Sequence, residues 1–254
     1  MTVLINGKML KEALISASLT LGETKKSIDE LNVYPVPDGD TGTNMSLTLG
    51  NAAAELQNIG DAEDVGYVAD IAASAMLRGA RGNSGVITSL LFRGIAKGLD
   101  GKKEATCDDM AAALALGVDA AYKSVMNPTE GTILTVARCA SEKAKESAFH
   151  TNDAVAQWAD VVAAAQDALE KTPEQLPILK KAGVVDAGGK GLVVIFEEML
   201  RAFKGEPRLP APEDNAQPKS KFHLDIRDDE EIIYAYCTEF IVNGSPTDKD
   251  AAEL

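Results

Sequence analysis

An all-α fold is predicted by three features of the sequence. Apolar residues recur at helical spacing in one segment after another. Aromatic residues make up only 5% of the chain while alanine is plentiful, a composition suited to helices packed closely through small side chains. Loops rich in glycine, proline and polar residues separate the periodic segments.

Residues 7–30 place Met9, Leu10, Ala13, Leu14, Ala17 and Leu21 on one face, predicting a first amphipathic helix. Leu31 to Gly42 breaks the pattern, because Pro35 and Pro37 forbid both a helix and a central strand and hold the loop extended. Helical spacing resumes at 43–58, 64–78, 83–98, 107–123, 131–148 and 151–171, followed by a short helix at 174–181 and a long one at 189–204. In the last, Leu192, Phe196, Met199 and Phe203 form a wide apolar stripe with Val193 and Leu200 beside it. Gly205 to Pro218 carries four prolines and almost no apolar periodicity, which reads as a linker. Ile232 to Val242 then alternates at period two with β-branched and aromatic residues and predicts a strand. One strand is not stable alone. The expected organisation is a helical domain over 1–205, a linker over 206–221, and over 222–254 the start of a further domain that the chain cuts short.

The 254 residues contain 25 Lys plus Arg against 39 Asp plus Glu, a net charge of −14. That charge argues against nucleic acid or an anionic membrane as the main partner, since both select basic surfaces. A hydrophobic fraction of 45% excludes global disorder. No window approaches the roughly 18 consecutive apolar residues of a membrane span. The N-terminus lacks the features of a secretory signal, and Cys107, Cys139 and Cys237 are few and scattered. Reduced thiols and a cytoplasmic location are expected.

The strongest chemical signal is Asp38-Gly39-Asp40-Thr41-Gly42-Thr43-Asn44. Two carboxylates around one glycine can converge on a hard cation, and their oxygen chemistry favours Mg²⁺ or Ca²⁺ over zinc. An EF-hand is excluded, since Gly42 stands at the fifth position and Leu49 where the bidentate Glu belongs. A turn ending in a helix cap explains the same residue types. Three further loops precede predicted helices. Arg78 to Gly85 offers glycines with Asn83 and Ser84 at the next helix start, a setting suited to phosphate. Gly183 to Gly191 carries Asp186, three further glycines and Lys190, and Pro128 to Thr132 forms a shorter candidate. Each is equally explained as a capped chain reversal. Antiparallel packing would gather all four at one end of a bundle. There is no Walker motif and no kinase signature. His150 and His223 lie far along the chain from these loops, against a Ser–His or Cys–His nucleophile. Phosphoryl transfer requires neither.

The run Leu31-Asn-Val-Tyr-Pro-Val-Pro-Asp-Gly-Asp-Thr-Gly-Thr-Asn-Met45, followed in order by the other three kinds of loop, resembles the ATP-binding subunit of bacterial fatty acid kinase. The N-terminal domain of that family is similar to the nucleotide-binding domain of dihydroxyacetone kinases. The resemblance covers about residues 1–205, and the strand around Cys237 looks like the start of the family's middle domain. It implies an antiparallel α-barrel of eight helices with ATP or ADP and two Mg²⁺ at its loop end. Asp38 and Asp40 would be the catalytic metal ligands, with Asn32 in the place where dihydroxyacetone kinases have a third aspartate. Thr41, Gly42, Thr43 and Asn44, with Asn83 and Ser84, would hold phosphates. Thr132 and Ile133, with Asp186, Ala187 and Gly188, would enclose ribose and adenine. The implied reaction passes the γ-phosphoryl to the carboxylate of a fatty acid presented by a lipid-binding carrier protein, and a homodimer is among the assemblies it allows. Two other readings stay open: a dihydroxyacetone kinase subunit, and a nucleotide-binding scaffold or sensor without turnover. In the family, Cys237 joins a metal site with later histidines; in this chain it reads as a lone thiol, since zinc needs about three further ligands.

Overall fold

The computed structural model describes residues 2–61 and 63–208. The predicted strand at 232–242, Cys237, His223 and all but the first three residues of the predicted linker lie outside them.

The described residues form ten helices and two very short strands: β1 (Ile5–Asn6), α1 (Gly7–Asp29), α2 (Thr41–Leu56), α3 (Val65–Arg78), α4 (Gly82–Leu99), β2 (Glu104–Ala105), α5 (Cys107–Ser124), α6 (Ile133–Ala148), α7 (Ala154–Glu170), α8 (Thr172–Gln175), α9 (Pro177–Ala182) and α10 (Ala187–Phe203). The all-α expectation holds. Eight of the helices are long. The short helix expected at 174–181 is instead two, α8 and α9, because the chain turns extended at Leu176 and Pro177 starts a new helix there. The strands were not foreseen, since two residues carry no readable period.

Each long helix packs on the next in the chain from α1 through α7, and α10 packs on both α7 and α1. The two ends differ in kind. At one end β1 pairs antiparallel with β2, with Ile5 opposite Ala105 and Asn6 opposite Glu104. Val3 bridges to Asp153, and the amides of Val65 and Gly66 donate to the carbonyls of Lys103 and Lys102. The starts of α1, α3, α5 and α7 are thereby sewn together. The starts of α2, α4, α6 and α10 consequently lie at the other end, with the four glycine-marked loops.

The core follows from the composition. Trp158 is fully buried, donates its indole N–H to the Phe196 carbonyl at 3.1 Å, and stands edge-on to Phe196 and Phe203. Elsewhere alanines and glycines let backbones approach. Gln157, wholly buried, donates to the carbonyls of Cys107 and Ala144, both at 2.8 Å, and so ties α5, α6 and α7. Cys107 and Cys139 are free thiols, each held above the ordinary thiol value mainly by burial. Among the described residues no helix is long and apolar enough to cross a membrane.

Candidate functional site

The four loops meet. Ser84 Oγ donates to the Thr41 carbonyl at 3.4 Å, which joins the second loop to the first. A Cβ on Gly82, whose φ is +56°, would strike the Asn44 amide, and one on Gly85 would strike Thr48 Oγ1. The Asp186 carboxylate receives backbone N–H bonds from Gly189 and Ile133, which joins the third loop to the fourth. Tyr34 and Thr129 pair their hydroxyls at 3.1 Å, which joins the fourth to the first.

The helix starts in this cluster fall into two classes. Thr132 caps α6 and Asp186 caps α10. The Ncap residues of α2 and α4, Asp40 and Arg81, give no side-chain cap, and in α2 the Thr43 N–H is taken by Asp29 from the end of α1. A helix start carries N–H groups without intrahelical partners and the positive end of the helix dipole. Two such starts side by side, with Thr41, Gly42, Thr43 and Asn44 on one and Asn83 and Ser84 on the other, suit an anion of phosphate geometry.

Asp38 and Asp40 stand at the mouth of this pair. The Asp40 carboxyl is held above the ordinary value by burial and by the adjacent carboxylates of Asp38 and Asp29, against the opposing hydrogen bond of Asn44. Carboxylates brought this close repel unless a proton or a cation lies between them, so the arrangement fits a hard cation. Asn32 is held against this pair. It is buried and donates its amide N–H to Asp38 Oδ1 at 2.7 Å, so it stands behind the carboxylate and orients it. Among the described residues no three His, Cys, Asp or Glu side chains form a cation's ligand set.

Asp29 escaped the sequence reading. It accepts the Thr43 N–H at 2.9 Å and the Thr43 hydroxyl at 2.7 Å, fixing the first turn of α2 onto the end of α1. Gly42 is needed in the same place, since a Cβ there would strike the Lys25 carbonyl oxygen and the Ile28 Cβ. At the end of an amphipathic pattern Asp29 looks like any solvated carboxylate, and no local signal marks it.

Thr132 and Ile133 meet Asp186, Ala187 and Gly188 as expected, but as a closed seam. All five are buried, and a Cβ on Gly188 would lie 3.2 Å from that of Ile133. Asp186 is only 5% exposed, and its carboxylate is engaged by two helix starts. The Asp186 side chain thus ties the starts of α6 and α10 together.

Burial pushes the Asp186 carboxyl up to about 6, against the two N–H bonds that lower it. The folded chain therefore holds this proton more tightly than the unfolded chain. Stability from this residue is fully present below the unfolded value near 4 and is lost as pH rises through about 6, a difference of about 3 kcal/mol. Urea unfolding of wild type and Asp186→Asn between pH 4 and 7 isolates it. The wild type is expected to lose stability relative to the variant as pH rises, and a pH-independent difference would refute the assignment.

Comparison with known proteins agrees with this geometry. The family model of the DAK2 domain matches residues 35–201. Protein YloV of Bacillus subtilis is 42% identical over 255 residues, covering 98% of this chain and 46% of that protein. An uncharacterized protein of Staphylococcus epidermidis is 42% identical over 244 residues, covering 94% of this chain and 44% of its own length. The chain thus spans about half the length of the curated relatives it matches. Among solved structures, the dihydroxyacetone kinase from C. freundii in complex with AMP-PNP and Mg²⁺ superposes with a TM-score of 0.57 at 16% identity, covering 80% of this chain and 35% of that one. Its native form gives 0.54 at 17% identity, covering 78% and 35%. At those identities the likeness is one of fold. The family model, spanning the aspartate loop, the uncapped helix starts and the Asp186 seam together, decides the matter: this chain belongs to the DAK2 domain family.

Proposed function

We propose that this chain is the nucleotide-binding part of an ATP-dependent kinase that passes the γ-phosphoryl of ATP to the carboxylate of a fatty acid presented by a lipid-binding carrier protein. The observation that carries the nucleotide half is the pairing of the uncapped starts of α2 and α4 with Asp38 and Asp40 at their mouth. Family membership and the fold shared with a kinase that was crystallised with AMP-PNP and Mg²⁺ support the same reading. The fatty acid acceptor rests on the resemblance of the long aspartate-loop motif.

In this reading the N–H groups at the starts of α2 and α4 that Asp29 does not take receive the phosphates, with Asn44, Asn83 and Ser84 adding side-chain donors, while Thr43 holds the first turn of α2 against Asp29. The Asp186 seam forms the wall against which the nucleoside rests. Asp38 and Asp40 would hold Mg²⁺, two ions on the resemblance. Bound Mg²⁺ would screen the charge between the acceptor and the γ-phosphate. In the transfer, a carboxylate oxygen of the acid forms a bond to the γ-phosphorus as the bond from that phosphorus to the ADP oxygen breaks. The products are an acyl phosphate and ADP. A carboxylate nucleophile has no proton to remove, so the site needs no general base. His150 accordingly lies in the α6–α7 connection at the sewn end, away from the loops.

Calorimetric titration of ADP with Mg²⁺ and then with EDTA tests the nucleotide half. Magnesium-dependent binding is expected, and absence of heat under both conditions would sink it. Addition of a lipid-loaded carrier protein with ATP tests the acceptor: acyl phosphate should form only with the carrier, and nucleotide binding without turnover would return the chain to the sensor reading.

A further inference from the structure

The connection between α5 and α6 carries two residues with no part in the binding scheme above, Thr129 and Glu130, yet it is held from three sides. Glu130 Oε2 accepts from Thr135 Oγ1 at 2.7 Å and from Arg138 Nη2 at 2.9 Å, and its Oε1 accepts from the Tyr122 hydroxyl at 2.9 Å. Thr135 Oγ1 in turn accepts the Gly131 N–H at 2.8 Å. Gly131 has φ +82°, and a Cβ there would lie 2.9 Å from Leu176 Cβ and 3.0 Å from the Thr172 carbonyl oxygen, so the turn also presses on α8. Burial opposes ionisation of Glu130, but the bonds from Thr135, Arg138 and Tyr122 outweigh it and keep the carboxyl below its ordinary value. The clamp is therefore charged at neutral pH.

One contact runs from this fixed turn to the aspartate loop. Thr129 Oγ1 donates to the Asn127 carbonyl at 3.3 Å, which leaves it to accept from the Tyr34 hydroxyl at 3.1 Å. Tyr34 stands four residues before Asp38. Pro35 to Gly39 are exposed. The Tyr34–Thr129 pair and the Asn32–Asp38 bond are two of the side-chain hydrogen bonds that hold Leu31 to Gly39, and Asp38 also meets Asp40.

We propose that Thr129 and Glu130 are positioning residues for the Asp38/Asp40 loop: Glu130 clamps the 129–132 turn to α5 and α6, and Thr129 passes that fixed position to Tyr34. The consequence for metal-linked binding rests on the nucleotide reading above; the tether itself does not.

Two measurements separate them. The Asn44 N–H donates to the Asp40 carbonyl at 2.8 Å, so its hydrogen exchange in the ligand-free protein reports where the loop stands. Thr129→Val is expected to raise that exchange about fivefold, the effect of one neutral hydrogen bond, and Thr129→Ser to restore it. Glu130→Ala should act on the same amide, and the double variant should fall short of the combined single effects, because both act through one turn. In calorimetry with ADP, Thr129→Val should reduce the gain in affinity from Mg²⁺ about fivefold while affinity in EDTA stays unchanged. Wild-type exchange at Asn44 in Thr129→Val, or a Thr129→Ser variant that behaves like valine, overturns the tether. Wild-type protein with no magnesium-linked ADP binding overturns the nucleotide reading instead, and the exchange result still decides the tether.

Discussion

Replacing Asp40 with alanine is expected to lower phosphoryl transfer by at least about 100-fold, the scale on which removal of one preorganised transition-state interaction acts. The folded, ligand-free protein should not suffer. Asp40 gives α2 no side-chain cap, and its carboxyl is raised by burial and by Asp38 and Asp29, so its charge is opposed by its surroundings. Melting in EDTA should therefore be unchanged or slightly higher in Asp40→Ala, while the stabilisation that Mg²⁺ and ADP confer on the wild type should vanish. Asp38→Ala should lose transfer as fully, and it also leaves the buried Asn32 amide without the carboxylate it serves. Its EDTA melting point should fall by several degrees, since a buried donor without a partner costs about 1–3 kcal/mol. Transfer at wild-type rate in either variant would overturn the metal assignment.

Away from the candidate site, the largest effect on stability is expected at the seam between α4 and α5. A Cβ on Gly94 would strike the Leu116 carbonyl oxygen and come within 2.5 Å of Gly117 Cα and 2.6 Å of Gly117 N. All of these are backbone atoms, so no rotamer change relieves the clash and the two helices must part. Gly98 faces Ala113 and Gly117 faces Leu91 in the same way, so the seam has no slack on either side. Overpacking of this kind costs about 1–3 kcal/mol. It acts against the gain of up to about 1 kcal/mol that alanine ordinarily brings to a helix. A net loss of up to about 2 kcal/mol, or a melting point lower by up to about 6 °C for a domain of this size, is expected for Gly94→Ala. Gly50, half-buried in α2, is the matched control, because nothing lies within 4 Å of its added Cβ. Gly50→Ala should stabilise by about 1 kcal/mol. Equal effects at the two positions would refute the close approach of α4 and α5.

The sequence carried the eight long helices because each buries one face, and that face repeats at the period of the helix whatever it packs against. Leu192, Phe196, Met199 and Phe203 mark α10 before any partner is known, and all four are buried. The four loops were legible for a similar local reason. Glycine, proline, Asp and Asn interrupt helices through their own backbone preferences, and alternation of direction along a chain of short connections then brings every second helix start to the same end. The Asp38–Asp40 pair was readable because two carboxylates one residue apart cannot avoid each other.

What remained was decided between residues far apart in sequence. Asn32 looked like a ligand by its place in the motif, and only the fold turns its N–H toward Asp38. Asp186 looked like a ligand contact by its place in a glycine-rich loop, and only the packing of α6 against α10 buries it beneath two helix starts. Asp29 carried no signal, and Glu130 stood only as one member of a candidate loop, because a carboxylate on a helix end or a turn is ordinarily solvated, and their partners at Thr43, Tyr122, Thr135 and Arg138 are chosen by geometry and not by pattern. Periodicity records which face a helix must hide. A hydrogen bond between loops depends on distances of a few tenths of an ångström that exist only once the helices have packed.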